Sequence, residues 1–277
     1  MKVLIIALDG LEYDLVVKER MRFLLQKTSG KIDLSPEYCT LVEGELTPYT
    51  PIIWSSFITG LPPHKHKIQD LWTYGRVFDS IKRFPPLRAI KGKRKFVWKL
   101  GLKPRTPNKK DLRATAIFDI IEPSIAIDVI GYNPWGYMEK LSSSKTIDEY
   151  ISGSEKLFEL KKKSVFEEIQ KDWNLFMVYI HFTDAAGHCY DFGKLKTVYR
   201  AMDYFVSEVK EIVDDDTLCL IVSDHGMKEE RTREGRRGTK LHTHSNHAFF
   251  SLNIETDWRP KNMTDFFPKI LEWAESN

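Results

Sequence analysis

Apolar and polar positions follow two patterns along this chain, one typical of buried strands and one typical of helices. Val3–Leu8 is an uninterrupted apolar run, as in a strand that is buried on both faces. Residues 218–222 form a second run of this kind, and residues 125–130, 175–182 and 247–253 are the other predicted strands. These runs predict a central sheet whose strands lie inside the protein.

Helical spacing separates the apolar runs. In residues 195–213 the apolar positions recur every three to four residues and share one stripe. Helices are also predicted at residues 11–25, 52–59, 147–173 and 265–274. Because a strand followed by a helix is the first half of a β-α-β unit, the pattern predicts an α/β fold.

The length and composition suit one large domain. The chain has 277 residues, of which 42% are hydrophobic and 12% aromatic, enough for a sizeable core. We interpret residues 1–277 as a single domain that carries a basic insertion at about residues 72–115. Within this insertion, residues 82–113 contain thirteen Lys or Arg and a single acid, Asp111.

The basic insertion and a second basic run at residues 231–240 allow two interpretations. Charge runs of this kind are commonly solvated surface. Alternatively, they surround a binding site and attract a polyanion. The aromatic residues near or within the insertion would either stack on a base or pack against the core; they are Trp72, Tyr74, Phe96 and Trp98.

The cysteines and the hydropathy narrow the setting of the protein. Cys39, Cys189 and Cys219 are widely spaced, with no Cys-x-x-Cys pair, which argues against a disulfide framework and against a thiolate zinc site. The apolar runs are too short for a signal peptide or a membrane span. We therefore expect a soluble, cytoplasmic protein.

Acidic residues lie within two residues of the end of three of the predicted strands. Asp9 follows the first strand, Asp184 follows the third, and Asp224 with His225 follows the fourth. Ligands of open α/β sheets bind at the carboxyl ends of the strands, so these carboxylates are expected to converge. Carboxylates this close repel one another, and a bound cation is the usual solution. His188 adds an imidazole, and mixed imidazole and carboxylate ligands favour zinc, with manganese or iron as alternatives.

Each of these pieces also has a purely structural explanation. An Asp-Gly pair after a strand, as at Asp9, is commonly only a turn. Asp184 and His188 would equally suit a helix cap and a surface histidine. The pair Asp224-His225 is harder to explain in this way, because a charged pair directly after five apolar residues needs a partner. The presence of all three at strand ends favours the metal site.

These motifs resemble those of the alkaline phosphatase superfamily and, within it, the type I phosphodiesterase and nucleotide pyrophosphatase branch. The resembling segments, in the family's order, are Ala-Leu-Asp-Gly at 7–10, Thr-Pro-Ile-Ile-Trp-Ser-Ser-Phe-Ile-Thr-Gly at 50–60, Asp-Ala-Ala-Gly-His at 184–188 and Ser-Asp-His-Gly-Met at 223–227. They span most of the chain, and the last two are the most specific. The resemblance implies one catalytic domain over residues 1–277, a three-layer α/β sandwich with a mostly parallel central sheet.

The resemblance also implies roles for the matched residues at a site with two divalent metal ions. One ion would be held by Asp9, Asp224 and His225 together with the oxygen of Thr50. Thr50 would also be the nucleophile, since coordination to a divalent cation lowers the pKa of a hydroxyl group. A threonine before a proline also suits a helix N-cap, and a phosphate favours that same position.

The second ion would be held by Asp184, His188 and a histidine near the C-terminus. His244 is the preferred candidate, because the family places this ligand about four residues before a small residue of the last core strand. His247 is the runner-up. His242 shares a face with His244 if this segment is a strand, so it too stays open.

The implied activity is a metal-dependent phosphodiesterase or nucleotide pyrophosphatase that forms a phosphoryl-threonine. The Asn that binds phosphate oxygens in nucleotide-specific members is matched here by Leu71, and Asn133 is a candidate replacement. A phosphomonoesterase or phosphomutase on the same scaffold is one alternative. A non-catalytic metal-binding protein whose basic surface binds nucleic acid is another. The expected substrate is a small anionic phosphate ester, such as a nucleotide.

Overall fold

The structure is a computed structural model that describes residues 1–42, 44–75, 79, 103–235 and 238–276. Most of the predicted basic insertion, with Phe96 and Trp98, lies outside the described residues, as do the side chains of the basic run at 231–240. The interpretations of these basic surfaces therefore stay predictions. Within the described residues, no helix is long and apolar enough to cross a membrane.

Strands and helices alternate along much of the chain, as in an α/β protein. In the described residues, strands β1 to β10 span Val3–Leu8, Thr28–Asp33, Cys39–Val42, Glu45–Pro48, Ser124–Ile127, Leu175–Ile180, Leu218–Ser223, Gly226–Gly235, Gly238–Ser245 and His247–Leu252. Helices α1 to α9 span Tyr13–Lys18, Arg22–Leu25, Thr50–Thr59, Pro63–His66, Tyr137–Ser142, Ile147–Glu168, Phe182–Cys189, Phe192–Lys210 and Phe266–Glu275.

Six strands form the central sheet in the order β2-β10-β7-β1-β6-β5. The neighbours from β7 to β5 pair in parallel, whereas β10 is antiparallel to both β7 and β2. Leu8 of β1 lies opposite Ile180 of β6, and Ala7 lies opposite Val222 of β7. Because these three strands end at the same edge of the sheet, the residues that follow them are brought together.

Successive side chains of the buried strand β1 point to opposite faces of the sheet and enter two separate cores. Ile5 packs in one core with Trp54 of α3 and Phe266 of α9. Ile6 packs in the other, together with Phe205 of α8. Helices therefore cover both faces of a mostly parallel sheet, and the predicted three-layer α/β sandwich is confirmed.

Several predicted elements have different bounds in the structure. The strand predicted at 125–130 ends at Ile127, and the helix predicted at 147–173 ends at Glu168. The helix predicted at residues 11–25 is divided into α1 and α2, because Arg20 between them adopts a left-handed φ of 52°. The strand predicted at 175–182 ends at Ile180, where its pairing with β1 also ends, and Phe182 already begins α7. Boundaries of this kind depend on tertiary pairing and on single backbone angles, which the apolar pattern does not record.

The hairpin formed by β8 and β9 was not predicted from the sequence. Its strands pair in an antiparallel register from Gly226 opposite Ser245 to Gly235 opposite Gly238. The basic run inside it has no apolar alternation from which a strand could be recognised. The hairpin positions His244, which lies opposite Met227.

Candidate metal centre and active site

Three acidic side chains meet at the carboxyl edge of the central sheet. Asp9 follows β1, Asp224 follows β7, and Asp184 lies in the first turn of α7, with exposed fractions of 1%, 0% and 6% respectively. The imidazole of His225 lies between them: its Nε2 is 3.2 Å from Asp9 Oδ1 and 3.5 Å from Asp224 Oδ2. The same atom is 3.9 Å from Asp184 Oδ1, so one imidazole faces all three acids.

Thr50 brings a hydroxyl group to this cluster. It is the first residue of α3, and Pro51 follows it in the first turn of the helix. Thr50 Oγ1 lies 3.3 Å from His225 Nε2. The rest of α3 is buried against the sheet, which fixes the position of its N-terminus and so of the hydroxyl.

Two further imidazoles face Asp184. His188 lies in the last turn of α7, four residues after Asp184, and its Nε2 is 3.4 Å from Asp184 Oδ1. His244 approaches the same oxygen from β9, at 3.5 Å. The Nε2 atoms of these two histidines are 3.1 Å apart. The His244 ring also stacks on His225, with 3.6 Å between ring centroids, which joins the two halves of the cluster.

Backbone carbonyl groups orient all three imidazoles in the same way. The Nδ1 atoms of His188, His225 and His244 lie 2.9, 3.1 and 2.8 Å from the carbonyl oxygens of His242, Gly226 and Pro48. Because a carbonyl oxygen only accepts hydrogen bonds, Nδ1 carries the hydrogen, and the Nε2 of each neutral ring presents a lone pair. The Nε2 lone pairs of these histidines repel one another and the nearby carboxylates. A positive charge placed between them, such as a metal ion, would offset this repulsion.

One oxygen of each acid has no hydrogen-bond partner among the described residues. These atoms are Asp9 Oδ1, Asp184 Oδ1 and Asp224 Oδ2, the same oxygens that face the histidine Nε2 atoms. A buried polar atom without a partner costs about 1–3 kcal/mol. Within the described part of the chain, Asp9, Asp224 and His225 can hold a metal ion, and so can Asp184, His225 and His244. The residues present therefore fit divalent cations.

Burial and mutual repulsion shift the pKa values of the cluster in opposite directions. Burial, with the neighbouring charge of Asp9, raises the pKa of Asp224 well above its ordinary value. Burial also opposes ionisation of Asp9, but hydrogen bonds from His181 and His225 hold its pKa well below the usual range. Burial likewise opposes a charge on His225, yet Asp224 raises the pKa of that imidazole. The cluster therefore attracts positive charge, either protons or a metal ion.

His247 lies outside this cluster and contacts Glu12 instead. His247 Nε2 is 3.0 Å from Glu12 Oε1. The buried carboxylate of Glu12 also accepts hydrogen bonds from the Met227 backbone N–H at 2.9 Å and from the Ser245 hydroxyl at 3.1 Å. Glu12 thereby joins the start of α1 to the β8–β9 hairpin, and His247 belongs to this supporting network.

The two other candidates, His242 and Asn133, contact backbone groups. His242 Nδ1 is 2.9 Å from the Gly187 carbonyl oxygen, and its ring packs on Phe192 with 4.2 Å between centroids. The contact supports the end of α7. Asn133 accepts a hydrogen bond from the Val129 backbone N–H at 2.8 Å, so its amide oxygen closes a local turn.

The structure adds two residues to the site that the sequence analysis missed. His181 Nδ1 is 3.3 Å from Asp9 Oδ2, and the Tyr179 hydroxyl donates a hydrogen bond to the same oxygen. Since Leu8 lies opposite Ile180, the residue after each strand lies beside the other. A polar residue directly after a strand could have identified His181. The strand was predicted to extend to residue 182, so His181 was counted as part of the strand.

Comparison with protein families identifies one match over most of the chain. The family model described as type I phosphodiesterase / nucleotide pyrophosphatase matches residues 3–263. This range contains every residue of the cluster described above. A comparison with curated proteins finds no match.

Several solved enzyme structures have a similar fold. Phosphonoacetate hydrolase from Sinorhizobium meliloti 1021 is 12% identical, with a TM-score of 0.56, and the alignment covers 99% of this chain and 96% of that protein. TAB5 alkaline phosphatase is 12% identical, with a TM-score of 0.50, covering 100% and 98%. Murine ectonucleotide pyrophosphatase / phosphodiesterase 5 is 15% identical, with a TM-score of 0.50, covering 83% of this chain. The chain spans only 58% of the length of that murine protein. At these identities the likeness shows the fold, which is alkaline phosphatase-like.

Proposed function

The chain belongs to the type I phosphodiesterase/nucleotide pyrophosphatase family, whose members hydrolyse phosphate esters, and we propose that it cleaves phosphate diesters or nucleotide pyrophosphates at the acid and histidine cluster. The observation that carries this proposal is the position of Thr50. Its Oγ1 lies 3.3 Å from His225 Nε2, the atom that faces three buried carboxylate oxygens with no hydrogen-bond partner in the described residues.

We propose that Thr50 is the nucleophile. It stands at the N-terminus of α3, where a helix favours a bound phosphate. Thr50 Oγ1 would lose its proton to solvent and attack phosphorus, forming one P–O bond while the bond to the leaving oxygen breaks and that oxygen takes up a proton. Water would then cleave the phosphoryl-threonine, which restores the hydroxyl group and releases a phosphate monoester.

The donor set supports two divalent metal ions. The proposed ligands of one ion are Asp9, Thr50, Asp224 and His225, and those of the other are Asp184, His188 and His244. Such ions lower the pKa of a coordinated hydroxyl group and offset the negative charge that develops on the phosphoryl oxygens. Mixed imidazole and carboxylate donors favour zinc, with manganese or iron as alternatives.

The proposed substrate is a small anionic phosphate ester, such as a nucleotide. The phosphonoacetate hydrolase with the similar fold was solved in complex with phosphonoacetate, which is itself a small anion. We further propose a cytoplasmic location. The cysteines of this chain are thiols, as expected of a reducing compartment; they are Cys39, Cys189 and Cys219.

The test compares a diester with a monoester. Metal-free protein is assayed on bis-p-nitrophenyl phosphate and on p-nitrophenyl phosphate, with and without added zinc or manganese. Metal-dependent turnover that is faster on the diester is expected. Faster turnover of the monoester would favour a phosphomonoesterase on this scaffold, and absence of metal-dependent turnover on both would contradict the proposed function.

Two variants test the nucleophile. Thr50→Ala is expected to lower kcat by about a thousandfold or more, as removal of a nucleophile does, while zinc remains bound through the other ligands. Thr50→Ser keeps a hydroxyl group and should retain measurable turnover. Thr47→Ala, three residues earlier on β4, is the matched control and should behave as wild type. Full activity of Thr50→Ala would remove Thr50 from the mechanism.

A further inference from the structure

The imidazole of His181 lies between the carboxylates of Asp9 and Asp184. The proposed mechanism gives this histidine no role. His181 directly follows β6 and is only 6% exposed. Its Nδ1 lies 3.3 Å from Asp9 Oδ2 and 3.8 Å from Asp184 Oδ2. In the proposed assignment Asp9 and Asp184 bind different metal ions, so His181 contacts one ligand of each.

The two oxygens of each carboxylate face different neighbours. Asp9 Oδ1 and Asp184 Oδ1 face His225 Nε2, at 3.2 and 3.9 Å, and neither has a hydrogen-bond partner in the described part of the chain. The Oδ2 atoms face His181 on the opposite side. His181 thus contacts the Oδ2 atoms of both carboxylates, and the Oδ1 atoms stay available to metal ions.

The surroundings of His181 assign its hydrogen to Nδ1. A carboxylate only accepts hydrogen bonds, so the contact with Asp9 Oδ2 is favourable when Nδ1 carries the hydrogen. His181 Nε2 then accepts from the Tyr150 hydroxyl, which lies 2.8 Å away. The Trp135 ring packs edge-on against the imidazole, with 5.6 Å between centroids, and restricts its rotation. The ring is therefore held as a hydrogen-bond donor toward Asp9.

Asp9, His181 and Asp184 also have the composition of a metal site, and their ligand atoms lie close enough for one. Two contacts oppose a third ion at this position. Asp9 Oδ2 already accepts a hydrogen bond from the Tyr179 hydroxyl. A hydrogen on Nδ1 leaves His181 no lone pair there to give to a metal ion. The donors Tyr179 and His181 stand where such an ion would bind.

We propose that His181 is a positioning residue for the carboxylates of Asp9 and Asp184. Its Nδ1–H and the Tyr179 hydroxyl donate hydrogen bonds to Asp9 Oδ2, and the imidazole separates Asp9 from Asp184. This keeps the Oδ1 atom of each acid directed at the two proposed metal ions. The inference rests on the proposed two-metal site, since it assigns His181 a role in preparing that site.

Two substitutions separate the hydrogen bond to Asp9 from the bulk of the ring. In His181→Asn the side-chain amide can place an N–H near the position of Nδ1, whereas in His181→Gln it reaches the position of Nε2 instead. Zinc content and zinc affinity are measured on each purified full-length protein by competition with a chromophoric chelator. The visible absorption of the cobalt-substituted protein reports the ligand geometry independently of turnover.

Wild type is expected to bind two zinc ions per chain. His181→Asn should bind them with an affinity within about threefold of wild type and with an unchanged cobalt spectrum. His181→Gln should lose about 10- to 100-fold in zinc affinity, the usual effect of removing a hydrogen bond behind a metal ligand, and its cobalt spectrum should shift. His66→Gln is the matched control, because His66 is a buried histidine that contacts Ser56 at 3.0 Å instead of an acid. It should leave both measurements unchanged.

Several outcomes would overturn the inference. They are equal losses in the Asn and Gln variants, wild-type affinity in the Gln variant, or a third zinc ion in wild type that the Gln variant lacks. If His181→Gln does not fold, His181→Ala replaces it: a loss of zinc affinity that His181→Asn does not share supports the inference, and equal affinities in these two variants overturn it. Wild type that binds no zinc, manganese or iron would instead contradict the proposed function itself.

Discussion

Replacing Asp224 by Asn is expected to stabilise the metal-free protein and to weaken its stabilisation by metal. Asp224 Oδ2 is buried and has no hydrogen-bond partner in the described residues. Burial and the charge of Asp9 raise the pKa of this acid above its unfolded value of 3.8. The folded state therefore binds more protons than the unfolded state above that pH, so Asp224 lowers the free energy of unfolding at neutral pH. Asn does not ionise and removes this effect.

The size of the effect follows from one buried atom. An unsatisfied buried polar atom costs about 1–3 kcal/mol. Asp224 Oδ2 lies 3.5 Å from His225 Nε2. An Asn amide N–H at the position of Oδ2 could donate to the lone pair of Nε2, so part of this cost is recovered. At roughly 2–4 °C per kcal/mol for a domain of this size, the Tm of the metal-free variant should rise by up to roughly 12 °C.

The assay is thermal unfolding at pH 7, followed by circular dichroism, with EDTA and with zinc. Wild type should gain more from zinc than Asp224→Asn, because the variant loses a proposed ligand. Zinc at 100 times its dissociation constant contributes about 2.7 kcal/mol per site. Asp203→Asn is the control: Asp203 also has a raised pKa from burial, but it accepts hydrogen bonds from Phe23 and Leu24 on α2. Its zinc response should equal that of wild type.

Two results would refute this reasoning. A metal-free Asp224→Asn protein that melts below wild type would show that the buried carboxylate does not lower the free energy of unfolding. An unchanged zinc response in the variant would show that Asp224 is not a metal ligand.

Two further substitutions test other parts of the structure. Burial lowers the pKa of His66 to about 4, against 6.5 when unfolded, so the unfolded protein binds more protons between these values. Stability should be complete above pH 6.5 and fall by up to about 3 kcal/mol as the pH drops to 4; in urea titrations with EDTA, His66→Gln should show a smaller fall. Gly10 has a φ of +69°, and an added Cβ would lie 2.9 Å from Asp184 Cα. Gly10→Ala should cost about 1–3 kcal/mol and weaken zinc binding, whereas Gly44→Ala, with positive φ but no atom within 4 Å, should leave zinc binding unchanged.

The amino-acid sequence alone predicted the fold class and the family. A strand that is buried on both faces is apolar at every position, as in Val3–Leu8, and this pattern is visible without any partner strand. The motif order predicted the family, which the match over residues 3–263 confirms. The sequence also placed Asp9 and Asp224 directly after strands, and their convergence at one sheet edge follows from parallel pairing. Their role as metal ligands stays a prediction.

Only the tertiary structure separated the candidate histidines. His242, His244 and His247 lie within six residues, and the pairing of β8 with β9 directs His244 at Asp184 while Glu12 takes His247. The contact of His181 with Asp9 likewise depends on which strands are neighbours and in which register. Pairing of this kind joins residues far apart along the chain, so it leaves no periodic pattern in the sequence around either partner. The pattern of apolar residues determined which segments are buried, and the register of the strands determined which polar side chains contact one another.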